Sequence, residues 1–351
     1  MKNASKKTIY PDITIIGAGS YGTAMAITLS DNGRTVLLWG HNPIHIHKLN
    51  TQRCNPTYLP EIHFPKLLYP EASLTKAVSN CKNILIAVPS YVFNEVLTQI
   101  KKSKPQRNTR IIIASKGLEP QTGRLLQDVV YDIFGKNTPI AIISGPTFAK
   151  EIAIGLPTAI ILASSDSVVT HDLQQILHCN KNFKIYNSTD TIGVQIAGAV
   201  KNIIAIGAGI SDGMRLGANA RTALITRGLA EMSRLGLAIG AQSKTFMGLA
   251  GIGDLLLTCS DNQSRNRKFG MLLGQGLDKN KAQKIVKQTI EGLYNIKEVH
   301  MLSKQHNIYM PITTQIYNIL HHKKNIHDAA ISLLRDTQKH NLHKTTKFFD
   351  N

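Results

Sequence analysis

The chain has 351 residues, 42% of them hydrophobic, which is enough for two domains with a sizeable core. Lys and Arg outnumber Asp and Glu by 41 to 22, so the formal net charge is +19. These basic residues are spread along the sequence without interleaved aromatic residues, which argues against a nucleic-acid-binding protein and leaves a positive field that would gather anionic substrates. No run of about 18 uncharged apolar residues occurs, and the basic N-terminus lacks an apolar segment, so we expect neither a membrane span nor a signal peptide.

The first half of the chain alternates between apolar strand-like runs and helical patterns. The strand-like runs cover 13–17, 36–39, 83–89, 110–115, 140–144 and 158–163, and 183–186 is a candidate for a last strand. Continuous Ile and Val runs are typical of strands buried on both faces, as in a parallel sheet covered by helices. The sequence therefore predicts an α/β fold with an N-terminal Rossmann-like, doubly wound sheet.

Residues 17–22 read Gly-Ala-Gly-Ser-Tyr-Gly, a GxGxxG motif between the first strand-like run and a helical pattern. Gly17, Gly19 and Gly22 would permit a tight turn and let backbone N–H groups approach a pyrophosphate at the helix N-terminus. The motif in this βαβ context predicts a dinucleotide site. A second Gly-Ala-Gly, at 207–209, lacks both a preceding strand and the third glycine, and it predicts helix packing.

The end of the second strand-like run bears on cofactor choice. NAD sites often carry an acid about 20 residues after the glycine motif, but here the strand is followed by Gly40, His41 and Asn42, with neither an acid nor an arginine. A 2′-phosphate would be tolerated, so NADP is slightly favoured over NAD. His41, His45 and His47 are interpreted as surface histidines and not as a metal cluster, although His41 is a candidate for contact with the adenosine end of the cofactor.

The four cysteines are far apart and form no CxxC pair, which indicates free thiols in a reducing compartment and no zinc site. They are Cys54, Cys81, Cys179 and Cys259.

The strand-like runs stop near residue 189, and helix-compatible stretches broken by glycines follow. The sequence therefore predicts a dinucleotide-binding domain over 1–189, an all-helical substrate and catalytic domain over 190–335, and a C-terminal tail over 336–351. No Pro- or Ser-rich linker separates the two domains, so we expect them to pack tightly.

Lys201 is a single charge inside the small and apolar run 198–209. In a helix over 192–208 it would share a face with Gly198 and Ile204. One interpretation is a lysine that extends along an apolar helix to reach water. The other is an ammonium in a partly dry cleft, where burial lowers its pKa and makes it a proton donor or acceptor.

Two later segments favour the second interpretation of Lys201. Asp254 follows a glycine-rich turn, although a solvated helix cap would explain it too. Ser264, Arg265 and Asn266 suit a phosphate or another anion, with an exposed basic turn as the alternative.

Lys116 and Thr147 follow strand-like runs of the first domain. Ligands of open α/β sheets bind beyond the carboxyl ends of the strands, so both residues are expected to face the cofactor cleft. Together, these groups predict a site for a dinucleotide and a small anion, with hydride transfer to a carbonyl and a lysine that moves the proton.

Eight segments in order resemble the bacterial NAD(P)-dependent glycerol-3-phosphate dehydrogenases, over about residues 11–335. They are GAGSYGTAMAITLSDNG, ILIAVPS, ASKGLE, SGPTFAKE, GAVKNIIAIGAGISDG, NARTALITRGLAEM, GLAGIGDLLLTC and NQSRNRKFG. The resemblance implies reversible reduction of dihydroxyacetone phosphate to sn-glycerol 3-phosphate, which supplies glycerophospholipid synthesis. It also implies a cytoplasmic enzyme, commonly a homodimer, without a metal.

The same resemblance implies roles for individual residues, with Lys201 as the proton acceptor in oxidation and the donor in reduction. Substrate contacts are implied for Lys116, Gly145, Thr147, Lys201, Asp254, Ser264, Arg265 and Asn266. Cofactor contacts are implied, in addition to the three motif glycines, for Ser20, Tyr21, His41, Lys116, Ala149, Arg265, Thr289 and Glu291.

Two alternatives remain open at this point. A 3-hydroxyacid or 6-phosphogluconate-type dehydrogenase would share GxGxxG and a helical domain with a lysine, but it is expected to lack SGPTFAKE and NQSRNRKFG. A non-catalytic dinucleotide-sensing or nucleic-acid-binding protein would use the +19 charge and would need no set of Lys201, Asp254 and Arg265.

Overall fold

The structure, a computed structural model, describes residues 9–178 and 182–336. Its strands are β1 (Ile13–Ile16), β2 (Val36–Trp39), β3 (Cys54–Asn55), β4 (Leu59–His63), β5 (Leu68–Glu71), β6 (Asn83–Ile86), β7 (Arg110–Ile113), β8 (Ile140–Ser144), β9 (Thr158–Ala163) and β10 (Phe183–Ser188). Of the tail predicted over 336–351, only residue 336 is among the described residues. Cys179 also lies outside them. Cys54, Cys81 and Cys259 are free thiols.

Sixteen α-helices follow or alternate with these strands in the described part of the chain. They are α1 (Ser20–Asp31), α2 (Pro43–Gln52), α3 (Leu74–Ser79), α4 (Phe93–Lys102), α5 (Leu126–Phe134), α6 (Ala149–Ala153), α7 (Ser167–Leu177), α8 (Thr191–Gly213), α9 (Gly217–Ala238), α10 (Ser243–Phe246), α11 (Asp254–Ser260), α12 (Arg265–Gly274), α13 (Lys279–Val286), α14 (Glu291–Gln305), α15 (Pro311–His322) and α16 (Ile326–Asp336). A 3₁₀ turn covers Ser90–Val92, and a π-helical turn covers Leu249–Gly253.

The main sheet has eight strands in the order β10-β9-β8-β7-β6-β1-β2-β5. All neighbouring strands are parallel except β8 and β9, which are antiparallel. The prediction of an N-terminal Rossmann-like sheet followed by an all-helical region is confirmed, and every predicted strand-like run forms a strand. The pattern did not reveal β5, the β3–β4 hairpin or the reversed direction of β9.

Both faces of the sheet are apolar because successive side chains of each strand point to opposite sides. Ile13 and Ile15 belong to one buried cluster with helix α1, whereas Ile16 belongs to a second cluster with α4. The strands are therefore buried on both faces, as their continuous Ile and Val runs predicted.

Helix α8 is the centre of the helical region, and nearly all of its residues are buried. A Cβ on Gly209 would lie 2.0 Å from the carbonyl oxygen of Arg267, and a Cβ on Gly270 would lie 2.0 Å from that of Ile206. These glycines let α8 and α12 approach backbone to backbone, so the prediction of helix packing at 207–209 is confirmed. Among the described helices, α8 alone is long and apolar enough to cross a membrane, but 94% of its apolar window is buried inside the protein.

Candidate active site

The GxGxxG turn between β1 and α1 has the shape that a pyrophosphate needs. Gly17 has φ +119, and a Cβ there would lie 2.7 Å from the carbonyl oxygen of Ala87. A Cβ on Gly22 would lie 2.0 Å from the carbonyl oxygen of Gly17, so the turn packs tightly on the helix. Gly19 faces open space, and no side chain caps the N-terminus of α1. The free N–H groups of α1 can therefore donate hydrogen bonds to an anion where Gly19 leaves room.

A single carboxylate, that of Asp254 at the start of α11, joins two lysines from different parts of the fold. Its Oδ1 accepts a hydrogen bond of 2.5 Å from Lys201 Nζ on α8, and its Oδ2 accepts one of 2.7 Å from Lys116 Nζ beyond β7. Asp254 is 1% exposed, so it is not a solvated helix cap. Lys201 does not extend to water, because it is 6% exposed and also donates to Thr258 Oγ1 at 2.9 Å.

The surroundings of Lys201 act on its proton affinity in opposite directions. Burial lowers the pKa of Lys201 well below its ordinary value of 10.5. The carboxylate of Asp254 raises that pKa again, and the positive charge of Lys116 lowers it. Burial is the largest of these effects, so Lys201 releases a proton more readily than a lysine in water.

Small residues make room for the pair of lysines. A Cβ on Gly198, one turn before Lys201, would lie 3.5 to 3.7 Å from the aliphatic carbons of Lys116. The stem of Lys116 therefore rests on α8, and its ammonium reaches Asp254. The sequence neighbours that made Lys201 conspicuous thus accommodate a second lysine.

The first domain contributes Gly145 and Thr147 to the same cluster. Gly145 has φ +142 at the carboxyl end of β8, and its carbonyl oxygen accepts from Lys116 Nζ at 3.4 Å and from Thr147 Oγ1 at 3.1 Å. Burial raises the pKa of the Tyr21 phenol, and the nearby negative charge of Asp254 raises it further. Tyr21 therefore lies between the glycine turn and the lysine cluster.

The N-terminus of α12 carries the predicted anion-binding group. Ser264 is the N-cap and accepts from the backbone N–H of Arg267, and Asn266 bridges Asn202 and the N–H of Gly292 at 2.9 Å each. These two side chains are thus held within the protein. The guanidinium of Arg265 makes no hydrogen bond or ion pair with another described residue, which leaves it free for a ligand. Burial lowers the pKa of Arg265, and the charge of Glu291 raises it.

The first turn of α14 places Glu291 opposite Arg265. Glu291 Oε2 is buried and has no hydrogen-bond partner among the described residues. Burial raises the pKa of Glu291 to about 7, and the charge of Arg265 acts in the opposite direction. An orphaned carboxylate oxygen at this position fits a donor group of a bound cofactor. Thr289 lies two residues before Glu291 and near the phenol of Tyr91.

The remaining predicted cofactor residues lie at the ends of elements. Ser20 begins α1 and Ala149 begins α6. His41 is exposed beyond β2. His45 Nε2 and Asn55 Oδ1 are 3.1 Å apart, and no cluster of three metal-ligating residues occurs in the described part of the chain.

Three residues of the cluster were not identified from the sequence. Thr258 lies one helical turn after Asp254, Asn202 is the neighbour of Lys201, and Asn295 contacts the loop that carries Lys116. The spacing of four residues from Asp254 was a usable signal for Thr258, since residues four apart share a helix face. Nothing local indicated Asn295.

Comparisons with known proteins agree over nearly the whole chain. The family model described as NAD-dependent glycerol-3-phosphate dehydrogenase N-terminus matches residues 12–170, and the one described as its C-terminus matches residues 190–331.

Similar proteins and a similar solved structure carry the same description. A protein of Blochmanniella pennsylvanica named glycerol-3-phosphate dehydrogenase [NAD(P)+] is 71% identical over 94% of this chain and 96% of its own length. One of Erwinia tasmaniensis with that name is 57% identical over 95% and 98%. The crystal structure of a glycerol-3-phosphate dehydrogenase from Coxiella burnetii superposes with a TM-score of 0.89 at 47% identity, covering 92% of this chain and 98% of that one.

Proposed function

The chain belongs to the NAD-dependent glycerol-3-phosphate dehydrogenase family, and we propose that its cleft reduces dihydroxyacetone phosphate reversibly to sn-glycerol 3-phosphate with NAD(P)H. The observation that carries this proposal is the buried Asp254 carboxylate shared by Lys201 and Lys116 beside the glycine turn. A non-catalytic dinucleotide sensor has no use for two buried lysines on one carboxylate. The product would supply glycerophospholipid synthesis.

Lys201 is the proposed proton donor in reduction and the acceptor in oxidation. Reduction of a ketone places negative charge on the carbonyl oxygen, and that charge must be met by a proton. The lowered pKa of Lys201 suits it to give up this proton near neutral pH. The ammonium of Lys116, on the other oxygen of Asp254, adds positive charge next to the developing alkoxide.

The phosphate of the substrate is proposed to bind Arg265 at the N-terminus of α12. Arg265 is half-buried, and its guanidinium has no hydrogen-bond or ion-pair partner among the described residues. Ser264 and Asn266 fix the backbone around it. An arginine beside helix N–H groups matches a phosphate in charge and in donor geometry.

The cofactor is proposed to lie between the glycine turn and α14. The pyrophosphate would be held by Gly17, Gly19, Ser20 and Gly22. The nicotinamide of the cofactor supplies the hydride when the cofactor is bound. The orphaned oxygen of Glu291 would accept a hydrogen bond near the reacting end. Tyr21, His41, Ala149 and Thr289 complete the proposed contacts.

NADP is proposed as the slightly preferred cofactor. Asn42, which follows β2 in the chain, is not an acid, and its Oδ1 caps α2 by accepting from the N–H groups of Ile44 and His45. The sheet places Glu71 beside Trp39, but its Oε1 accepts from the N–H of Ser73 at 2.7 Å. A hydrogen bond to one oxygen leaves the charge of a carboxylate in place, so the preference for NADP rests on the residues that follow β2 in the chain, Gly40, His41 and Asn42, which include no acid.

We also propose the boundaries 1–189, 190–335 and 336–351 for the two domains and the tail, and a cytoplasmic homodimer. The change from strands to helices after β10 supports the first boundary. The family resemblance supports the dimer, and the free thiols of Cys54, Cys81 and Cys259 agree with a reducing compartment.

The experiment follows the loss of reduced-nicotinamide absorbance with NADPH and with NADH. We expect rapid loss with dihydroxyacetone phosphate and little with unphosphorylated dihydroxyacetone. No loss with either cofactor from folded protein, or faster loss with a 3-hydroxyacid substrate, would overturn the proposed reaction. The ratio of the two rates measures the cofactor preference directly.

Arg265→Ala is expected to lower kcat/KM for dihydroxyacetone phosphate by about 10- to 100-fold, the size of a lost charge-assisted hydrogen bond. The slow reaction of unphosphorylated dihydroxyacetone should change far less, because that compound has no phosphate to lose. Arg107→Ala, at an exposed position, removes the same charge as a control and is expected to leave both rates unchanged. An equal loss on both substrates would mean that Arg265 does not bind the phosphate.

A further inference from the structure

Asn295, in the second turn of α14, hydrogen-bonds to two other segments and to the first turn of its own helix, although it is 1% exposed. Its Oδ1 accepts from the backbone N–H of Leu118 at 2.7 Å. Its Nδ2 donates to Ser90 Oγ and to the carbonyl oxygen of Glu291, each at 3.0 Å. One amide therefore joins the loop beyond β7, the turn beyond β6 and the start of α14.

The loop beyond β7 packs directly on this amide at Gly117. Gly117 has φ +148, and a Cβ there would lie 2.4 and 2.5 Å from the amide atoms of Asn295 and 2.5 Å from Ser90 Oγ. A side chain on residue 117 would displace the amide, so only glycine allows the contact. The bond to Leu118 and the packing on Gly117 fix two consecutive residues of the loop.

Lys116 immediately precedes these two residues. Its Nζ reaches Asp254 Oδ2 at 2.7 Å and the carbonyl oxygen of Gly145 at 3.4 Å, while its stem lies on Gly198. Because the backbone at 117 and 118 is fixed, the starting point of the Lys116 side chain is fixed as well. Without that support the Lys116 ammonium would no longer be held within hydrogen-bond distance of Asp254.

The Nδ2 group of Asn295 bonds to the first turn of α14, on the side of the cleft proposed for the cofactor. The carbonyl oxygen that Asn295 binds belongs to Glu291, whose carboxylate has the orphaned oxygen. The Asn295 side chain thus contacts both the loop that carries Lys116 and the backbone of Glu291, which come from different regions of the fold.

We propose that Asn295 is a positioning residue of this enzyme, which holds the Lys116 loop against the first turn of α14 so that Lys116 reaches Asp254. The inference rests on the proposed function, because it assigns Asn295 a part in the same reaction. It does not make Asn295 a catalytic residue, since the amide acts through Lys116.

The test compares Asn295→Ala with Ser303→Ala. Ser303 is also on α14 and 1% exposed, but it donates to the carbonyl oxygen of His300 within the same helix, far along from the first turn. We expect Asn295→Ala to lower kcat for dihydroxyacetone phosphate about tenfold or more, the scale of losing one aligned group, and Ser303→Ala to leave it unchanged. Circular dichroism and thermal unfolding establish that both are folded at the assay temperature. If Asn295→Ala does not fold, Asn295→Leu replaces it with the same expected loss, because leucine has nearly the volume of asparagine but cannot bond to the N–H of Leu118 or to Ser90 Oγ.

Combination with Lys116→Ala separates positioning from a general structural effect. If Asn295 acts through Lys116, adding the Asn295 change to Lys116→Ala should lower kcat by less than about threefold, because coupled residues are not additive. The full tenfold loss in that background would overturn the inference.

The pH profile gives a second, independent readout. The charge of Lys116 helps to lower the pKa of Lys201, so withdrawal of Lys116 raises that pKa. The decline of the reduction rate at high pH should therefore move to higher pH in the Asn295 variant, as in Lys116→Ala, and should not move in Ser303→Ala. An unmoved profile in the Asn295 variant contradicts the inference. If the wild-type protein itself shows no turnover of dihydroxyacetone phosphate, the proposed function fails, and not the role of Asn295.

Discussion

Lys201→Met is expected to reduce kcat for dihydroxyacetone phosphate by about 10³-fold, within the range found for loss of a positioned acid or base. Methionine fills nearly the same volume, and Asp254 keeps Lys116 as its partner at 2.7 Å, so no buried carboxylate is left alone. Removing one partner of a buried ion pair is costly because it leaves an unpaired buried charge, and here Lys116 still pairs with Asp254, so the fold should stay intact. Steady-state kinetics beside thermal unfolding make the measurement.

Lys184→Met is the matched control for this prediction. Lys184 is exposed on the edge strand β10, and its side chain makes no hydrogen bond or ion pair with a described residue. It undergoes the same chemical change, and we expect wild-type turnover. Near-wild-type turnover in folded Lys201→Met would remove Lys201 from the proposed chemistry.

Asp254→Asn is expected to affect both stability and turnover. It leaves two ammonium groups in a buried cleft without their counter-charge, and breaking a buried pair in this way costs about 3–5 kcal/mol of unfolding free energy. Part of this cost is relieved if Lys201 loses its proton. The negative charge of Asp254 raises the pKa of Lys201, so its removal lowers that pKa further and leaves less protonated donor at neutral pH. We expect about a 10²-fold loss of kcat in reduction.

Asp132→Asn serves as the comparison for Asp254→Asn. The Asp132 side chain is 60% exposed and pairs with Arg124 at 2.6 Å. Surface pairs of this kind contribute less than about 1 kcal/mol, so urea unfolding and turnover should stay close to wild type. Equal destabilisation by the two changes would mean that the Asp254 carboxylate is not a buried counter-ion for both lysines.

The sheet could be predicted from the sequence because its signals are local. Each continuous Ile and Val run became a strand, and the GxGxxG motif fell on the turn between β1 and α1. The direction of β9 was not predictable, because the connection 145–157 is long enough for either a parallel or an antiparallel arrangement. Strand β5 contains Pro70 and lacks a continuous apolar run, so its pattern did not indicate a strand.

The candidate site could be predicted only as a set of suitable residues. Lys201 was conspicuous as a charge in an apolar helix, and Asp254 and Arg265 matched a resemblance. That Asp254 lies between two lysines depends on the packing of α11 on α8 and on the loop beyond β7. The contact of Asn295 with Leu118 joins residues 177 positions apart, which no local pattern encodes.

The pH dependence of kcat for dihydroxyacetone phosphate reduction tests most directly whether buried Lys201 moves the proton. Because Lys201 must be protonated to act as the donor, we expect the rate to fall as pH rises through a pKa well below the ordinary lysine value of 10.5, and the reverse oxidation to fall as pH decreases through the same group. Both limbs should be absent from the residual activity of Lys201→Met. A reduction rate that stays constant up to the ordinary lysine range, or a limb that persists unchanged in Lys201→Met, would contradict this role of Lys201.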